Sequence, residues 1–324
     1  MKPEYIFISG VSRTGSTLLL NMLNKSTEIA LSPENFFLGH QLPWEGVRYV
    51  IKRRVGDLSG DANVYKMVDL LYKGDFSRGT LGYWGWLQKK IDREFFLEKV
   101  LASQDRSDRA LFALMMKVRG EWAQQKKNKI EGDLILGEKT PSHIYFVPTL
   151  LEWYPNSKII HTFRDPRGIF ASELRRRKAA PLRWPYKQLH QTGPVFQIYV
   201  LLQVTYAWLR AARLHYKYEK LYPDRYYLIR FEELVANPER STKRLCDFLG
   251  VDFQDAMLEQ RVRSQGFKEG VTGFDGKAAY RWQEKNPSWV NSWFLLWGEK
   301  HLQSIGYKIN NGSVKDDDFA ILIK

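Results

Sequence analysis

The residues whose types and spacing best suit chemistry lie in one stretch, YIFISGVSRTGST (5–17). Gly10 and Gly15 bound a short turn that holds Arg13, Thr14, Ser16 and Thr17 between and just beyond them. Glycines let the backbone approach a ligand closely. The free N–H groups at the start of a following helix point at an anion, and the helix dipole favours negative charge there. The spacing fits the nucleotide-binding loop G-x-x-x-x-G-K-[ST], with Thr17 at the hydroxyl position, but Ser16 stands where that loop has lysine. A triphosphate-cleaving site needs that lysine and a magnesium partner. Hydroxyls, backbone donors and one arginine instead suit a phosphate or sulfate bound without metal. The plainer alternative is an ordinary strand-to-helix turn.

A second set of candidates sits in FRDPRGIFASELRRRK (163–178). Arg164 stands at the expected C-terminal edge of a strand, Ser172 two helical turns further on, and Arg176 four residues beyond Ser172 on the same face. Cation, hydroxyl and cation in this order make a second phosphate site. Arg175, Arg177 and Lys178 read as solvent-facing charges. Lys139 closes a third strand-like run at the edge where open α/β sheets bind ligands.

The elements that must position these residues are short apolar runs alternating with helix-length periodic segments. Strands are expected at 5–9, 29–31, 133–137, 157–163 and 224–229. Helices are expected from Thr17, over 110–125, from Pro141 to Tyr154, over 168–178, 192–221, from Pro238 to Leu249, and 287–305. This alternation predicts an α/β fold, a parallel sheet flanked by helices, in a single domain over 1–310. The aromatic, basic interval at about 37–130 is long for a connection and reads as a helical insertion over the active site. The glycine-rich 271–280 segment, with Lys277, is either a loop over a bound nucleotide or plain surface. Residues 311–324 read as a mobile tail.

The 324 residues carry 50 Lys and Arg against 36 Asp and Glu, a net charge of +14. That excess favours anionic ligands, whether small molecules or nucleic acid, and charge alone does not separate the two. The single cysteine, Cys246, excludes an internal disulfide and a cysteine-built zinc site, and reads as a small buried hydrophobe. The first apolar run is too short for a secretion signal, and no run approaches the ~20 residues that span a bilayer. A soluble, cytoplasmic protein is expected, with a trimmed lumenal domain as the alternative.

Two phosphate sites without a magnesium signature point to a nucleotide with phosphate at both ends. On these residues the chain resembles the sulfotransferases that use 3′-phosphoadenosine-5′-phosphosulfate (PAPS), over the span from the first strand to about Gly250. GVSRTGSTLLLNML is similar to that family's 5′-phosphosulfate loop and IIHTFRDPRGIFASELRRR to its 3′-phosphate motif. DRYYLIRFEELVANPERSTKRLCDFLG resembles the segment that follows in many members. The arginine form of the loop looks more like the Golgi-type and bacterial branch, tyrosylprotein sulfotransferases included. The cytosolic branch has a histidine two residues after the strand-end lysine, and Pro141 occupies that place here.

The resemblance implies PAPS as donor, adenosine 3′,5′-bisphosphate (PAP) as product, no metal, and in-line transfer to an acceptor hydroxyl. It implies that Arg13, Thr14, Gly15, Ser16 and Thr17 hold the 5′ end, and that Arg164, Ser172 and Arg176 hold the 3′-phosphate. Lys277 matches the family's C-terminal nucleotide loop only loosely. It assigns Lys139 to the leaving oxygen, Arg13 to the sulfonate, and Glu34 as the base. Glu45, Glu138 and His143 are reserves for the base, with His143 better read as capping or packing. His161, inside a strand, reads as core. The acceptor is a carbohydrate, phenol, lipid or tyrosine hydroxyl, and an acidic one suits the charge. The competing readings are a P-loop small-molecule kinase and a non-catalytic protein that binds nucleic acid or another polyanion.

Overall fold

A computed structural model describes residues 2–40, 42–73, 85–127, 134–179, 192–259 and 273–307. Five strands form one all-parallel sheet: β1 (Tyr5–Gly10), β2 (Ile29–Ser32), β3 (Ile135–Lys139), β4 (Lys158–Phe163) and β5 (Tyr226–Arg230). Their order is β2-β3-β1-β4-β5. The five expected strands therefore all form, with no end shifted by more than two residues. The register pairs Phe7 with Glu138 and Ile8 with Lys139, and Gly10 with Thr162 across the other edge of β1. Strands β2 and β3 lie to one side of β1, and β4 and β5 to the other. The direction of winding thus reverses at β1, and its C-terminal end is the crevice where such sheets bind ligands.

Alternation along β1 sends side chains to opposite faces, and both faces are covered. Ile6 and Ile8 pack with Ile160 and Ile229 against the first helix, α1 (Ser16–Leu23), and against Leu245 and Leu249 of a later helix. Tyr5 and Phe7 pack on the opposite face with Val47, Met67, Phe96, Phe112 and Val147. Those residues belong to α2 (Val47–Arg54), α3 (Asp61–Lys73), α5 (Arg93–Leu101), α6 (Asp108–Lys127) and α7 (Val147–Trp153), with α4 (Gly85–Lys90) between α3 and α5. The described residues of the interval expected to be a helical insertion are mostly helical. Among its described residues, Phe36 and His40 at its threshold reach the ligand cavity, while α2 to α6 supply none of the wall. The apolar faces of these helices cover the sheet.

A third core joins α8 (Pro166–Ala179) to the long α9 (Pro194–Leu221), through Phe170, Phe196, Val204 and Trp208. After β5 come α10 (Phe231–Ala236), α11 (Pro238–Leu249), α12 (Trp282–Lys285) and α13 (Ser288–Ser304). Gly250 ends α11 in a left-handed conformation, as its place after the apolar face predicts. Cys246 is buried, and burial pushes its thiol up to about 11. The expected tail at 311–324 lies outside the described residues.

Gly137 shows how tightly β3 and β1 meet. Its φ is +152°, and a Cβ there would lie 1.8 Å from the Ile6 carbonyl oxygen. Glycine is required two residues before Lys139 for the strand end to close.

Candidate functional site

At the C-terminal edge of the sheet is a cavity of about 830 Å³. That is near the top of the ~300–1,000 Å³ range of ligand sites. Its floor is the 10–17 loop, and Gly10, Arg13, Gly15, Ser16 and Thr17 all line it. Gly15 precedes α1 with φ 86°, and no side chain caps the helix. The N–H groups of the first turn are therefore left to a ligand. A Cβ on Gly15 would lie 2.5 Å from the Phe231 ring, so the loop is seated on α10 by the absence of a side chain. Arg13 also takes a positive φ, 72°, a conformation that bulky residues rarely adopt and that clusters at functional sites. Thr14 differs from its neighbours. Its buried hydroxyl donates to the Val11 carbonyl and lies 2.7 Å from the Thr162 hydroxyl. It ties the loop to β4 and leaves only its backbone for a ligand.

The second arginine set joins the first through side chains. Arg13 Nε donates to Ser172 Oγ at 3.0 Å, bridging loop and α8. Arg164 donates from Nη1 to the Arg13 carbonyl at 3.1 Å and from Nη2 to the Ala278 carbonyl at 2.9 Å. Its guanidinium lies 4.1 Å from the Phe231 ring centroid. Its Nε is buried without a partner. Burial lowers both Arg164 and Arg13 from the ordinary guanidinium value. Charged donors with unspent N–H groups, desolvated and pointed at one space, are a ready site for a phosphate.

Arg176 lines the same space and is held by Glu173, through Nε to Oε2 at 2.9 Å and Nη2 to Oε1 at 2.6 Å. Arg177 reaches Glu173 as well, at 2.7 Å. Burial pushes the Glu173 carboxyl up, but these hydrogen bonds outweigh it and leave it below its ordinary value. The expectation that Arg175 and Arg177 are solvent-facing is corrected. Both lie on the cavity wall, because α8 turns its last described turns along the cavity. Lys178 is exposed, as expected.

Glu34 follows β2 and lines the cavity, and Lys139 ends β3. They form an ion pair, with Lys139 5% and Glu34 28% exposed. Immediately behind them Glu138 points to the opposite face. It is fully buried, lies 2.5 Å from His143 Nδ1, and accepts the Thr140 hydroxyl. Thr140 Oγ1 in turn accepts the Asn35 N–H at 3.2 Å. The buried set thus fixes the backbone next to Glu34. His143 is a packing residue, edge-on to Phe112 and Phe146. Glu45 accepts the Leu42 N–H at 3.0 Å and is not on the wall. Of the three reserve bases, none reaches the cavity. His161 is core, with Nδ1 2.5 Å from the Tyr226 hydroxyl.

Lys277 is exposed and off the wall, whereas Asp275, Ala278 and Arg281 of the same segment line it. The sequence reading missed Glu173, Arg281 and Phe231. The i to i+3 and i to i+4 spacing of Glu173 with Arg176 and Arg177 was a usable signal. Nothing local marks Phe231, which is distant in sequence from the loop it supports. The wall also carries the aromatic and apolar side chains of Phe36, Tyr145, Val204, Tyr206 and Ala207, with His40, Asn21, Ser142, Gln203 and Lys285 among them. Phe36 and His40 stack at 5.3 Å, and the Arg210 guanidinium lies 3.9 Å from the Tyr145 ring centroid. Among the described residues no group of three His, Cys, Asp or Glu side chains is arranged to hold a metal ion. No described helix is long and apolar enough to cross a membrane.

The same architecture occurs in known proteins. The structure aligns with the sulfotransferase domain of the Synechococcus PCC 7002 olefin synthase over 94% of this chain and 95% of that one, with a TM-score of 0.56 and 18% identity. The sulfotransferase domain from the curacin biosynthetic pathway aligns over 95% and 99%, with a TM-score of 0.52 and 19% identity. In sequence, the omega-hydroxy-beta-dihydromenaquinone-9 sulfotransferase Stf3 of Mycobacterium bovis is 33% identical over 120 residues, 36% of this chain and 29% of that protein. The chain thus matches less than a third of that relative's length. The profile of the sulfotransferase family matches residues 3–255, the span that holds the loop, the arginine cradle and the Glu34–Lys139 pair, and the chain belongs to that family.

Proposed function

We propose that the protein transfers the sulfuryl group of PAPS to an acceptor hydroxyl, releasing PAP. The observation that carries this reading is the Arg13–Ser172 hydrogen bond, which joins two anion-binding segments in one cavity. A nucleotide with phosphate at both ends suits two such segments. The 10–17 loop, with Arg13, Gly15, Ser16, Thr17 and the Thr14 backbone, would hold the 5′ end. Arg164, Ser172 and Arg176 would hold the 3′-phosphate. The orphaned Arg164 Nε and the uncapped α1 terminus fit that donor. Lys277 could join them only by reaching in from the exposed side of its segment.

Glu34 and Lys139 then work as a linked pair. Glu34 accepts the acceptor's proton as its oxygen bonds to sulfur. A protonated Glu34 no longer holds Lys139, whose ammonium is released toward the bridging oxygen on which charge develops. The partial burial of Lys139 strengthens that interaction relative to water. An acidic acceptor would be drawn by the +14 net charge.

Calorimetric titration with PAP, in parallel with magnesium-ATP, tests the donor. Tight PAP binding in EDTA, weakened on the order of tenfold or more in Arg164→Ala, is expected. Binding of magnesium-ATP alone would assign a kinase. PAP-independent binding of nucleic acid that survives Glu34→Ala and Lys139→Ala would assign a polyanion-binding protein.

A further inference from the structure

The exposed face of α9 changes character halfway along. Over its N-terminal half the exposed large apolar positions are Val195, Ile198, Leu202 and Tyr206, at 54%, 48%, 51% and 59% exposure, with Pro194 and Gln203 exposed beside them. They follow one another by three, four and four residues and so form a single stripe. Over the C-terminal half the exposed positions include Arg213, Lys217 and Lys220, as on an ordinary solvated helix. The apolar stripe covers a rise of about 17 Å at 1.5 Å per residue. Four consecutive large apolar side chains left in water on one helix face mark a binding surface rather than scattered exposure.

Its inner end is the cavity. Tyr206 belongs to both the stripe and the wall, and Gln203, Val204 and Ala207 of the same turns line the cavity. Phe36, His40, Pro141 and Tyr145 add aromatic and apolar side chains to the same wall. Burial raises the Tyr145 phenol above its ordinary value, so it stays neutral there. The wall therefore carries both arginines and a group of aromatic and apolar side chains, and at Tyr206 that group is continuous with the apolar stripe leading outward.

We propose that the acceptor is a long-chain alcohol: its terminal hydroxyl enters beside Glu34, and its hydrocarbon chain leaves past Tyr206 along Leu202, Ile198 and Val195. This rests on the sulfuryl-transfer reading. The alcohol oxygen bonds to sulfur as the bond from sulfur to the 5′-phosphate oxygen breaks. Glu34 takes the proton, and a sulfate monoester and PAP leave.

The test is a series of primary alcohols from butanol to dodecanol, each assayed for transfer of labelled sulfate from PAPS. The expected result is a rise in kcat/KM of about two- to fourfold per added methylene once the chain passes Tyr206. Leu202→Glu, and Ile198→Glu beside it, should flatten the rise for the longer members while leaving PAP affinity within twofold. A flat series in the unaltered protein, with PAP binding intact, overturns the long-chain acceptor and leaves sulfuryl transfer standing. Failure to bind PAP at all overturns the transfer reading itself. A dimer in the unaltered protein that Leu202→Glu dissociates, with a flat series, gives the stripe to a second copy of the chain and overturns the proposal.

Discussion

Two pairs, Glu34 with Lys139 and Glu138 with His143, stand back to back at the end of β3, and they have opposite characters. Glu34 and Lys139 meet on the cavity side, and Glu34 keeps 28% of its side chain exposed. Glu138 and His143 meet on the other side, and both are fully buried. The residues that launch the two pairs are adjacent in sequence. Period-two alternation sends Glu138 to the face of Phe7 and Lys139 to the face of Ile8. The open pair can meet a molecule bound in the cavity. The closed pair cannot, and its oxygens are spent on His143 and Thr140, which fix the Asn35 backbone beside Glu34. Like chemistry becomes reactive or structural according to which face of one strand it occupies.

Substitutions in the open pair should have the largest effect on rate. Glu34→Gln is expected to slow transfer on the order of 10²–10³-fold while leaving PAP affinity nearly unchanged, and Lys139→Met to slow it as much and to weaken PAP as well. Single-turnover rates beside calorimetry would check this. Equal losses in stability and rate would erase the contrast between the pairs.

The closed pair should show the reverse. Glu138→Ala removes the buried partner of both His143 and the Thr140 hydroxyl and is expected to cost about 1–3 kcal/mol of stability, read from denaturant midpoints. Its effect on rate should appear only through the lost position of Asn35. Thr140→Val isolates that link. It deletes the hydroxyl that accepts the Asn35 N–H, at a cost of about 1–2 kcal/mol. The slowing should be smaller than in Glu34→Gln, with normal PAP affinity.

The effect farthest from the chemistry concerns the other buried histidines. Burial holds His161 well below its ordinary 6.5, and burial lowers His215 too. In each case the folded state favours the neutral ring and the unfolded chain binds the proton more readily. Their contribution to stability is therefore complete above about pH 6.5. It falls as the pH drops below that value, by up to about 1.4 kcal/mol per pH unit for each ring. Unfolding curves between pH 8 and 5 should show this slope, reduced in His161→Phe. A flat profile would show that these rings bind protons equally in both states.

The sequence by itself determined the parallel α/β framework and the location of the two segments proposed to hold the nucleotide. Apolar runs such as YIFIS and KIIHTF are too short and too β-rich to be anything but buried strands beside helix-length segments. The phosphate loop was legible because all its parts lie within eight residues, and Arg164, Ser172 and Arg176 because a helix fixes their common face. The acid–base partners of the reserve candidates were not legible. Glu138, His143 and Glu45 carry the right chemistry, but only packing decides which way a strand-end or loop side chain points. The same holds for Arg177, which local spacing sends to solvent and the placement of α8 brings to the cavity wall. Thr14, in the middle of the loop motif, turns its hydroxyl to β4 because Thr162 is there to meet it. The tertiary structure alone placed Phe231 beneath Gly15 and Arg164, and joined the apolar stripe of α9 to the cavity. Those contacts link segments far apart in the chain. Local propensity and spacing act over a few residues, whereas burial and side-chain pairing are settled only when the sheet and its covering helices come together.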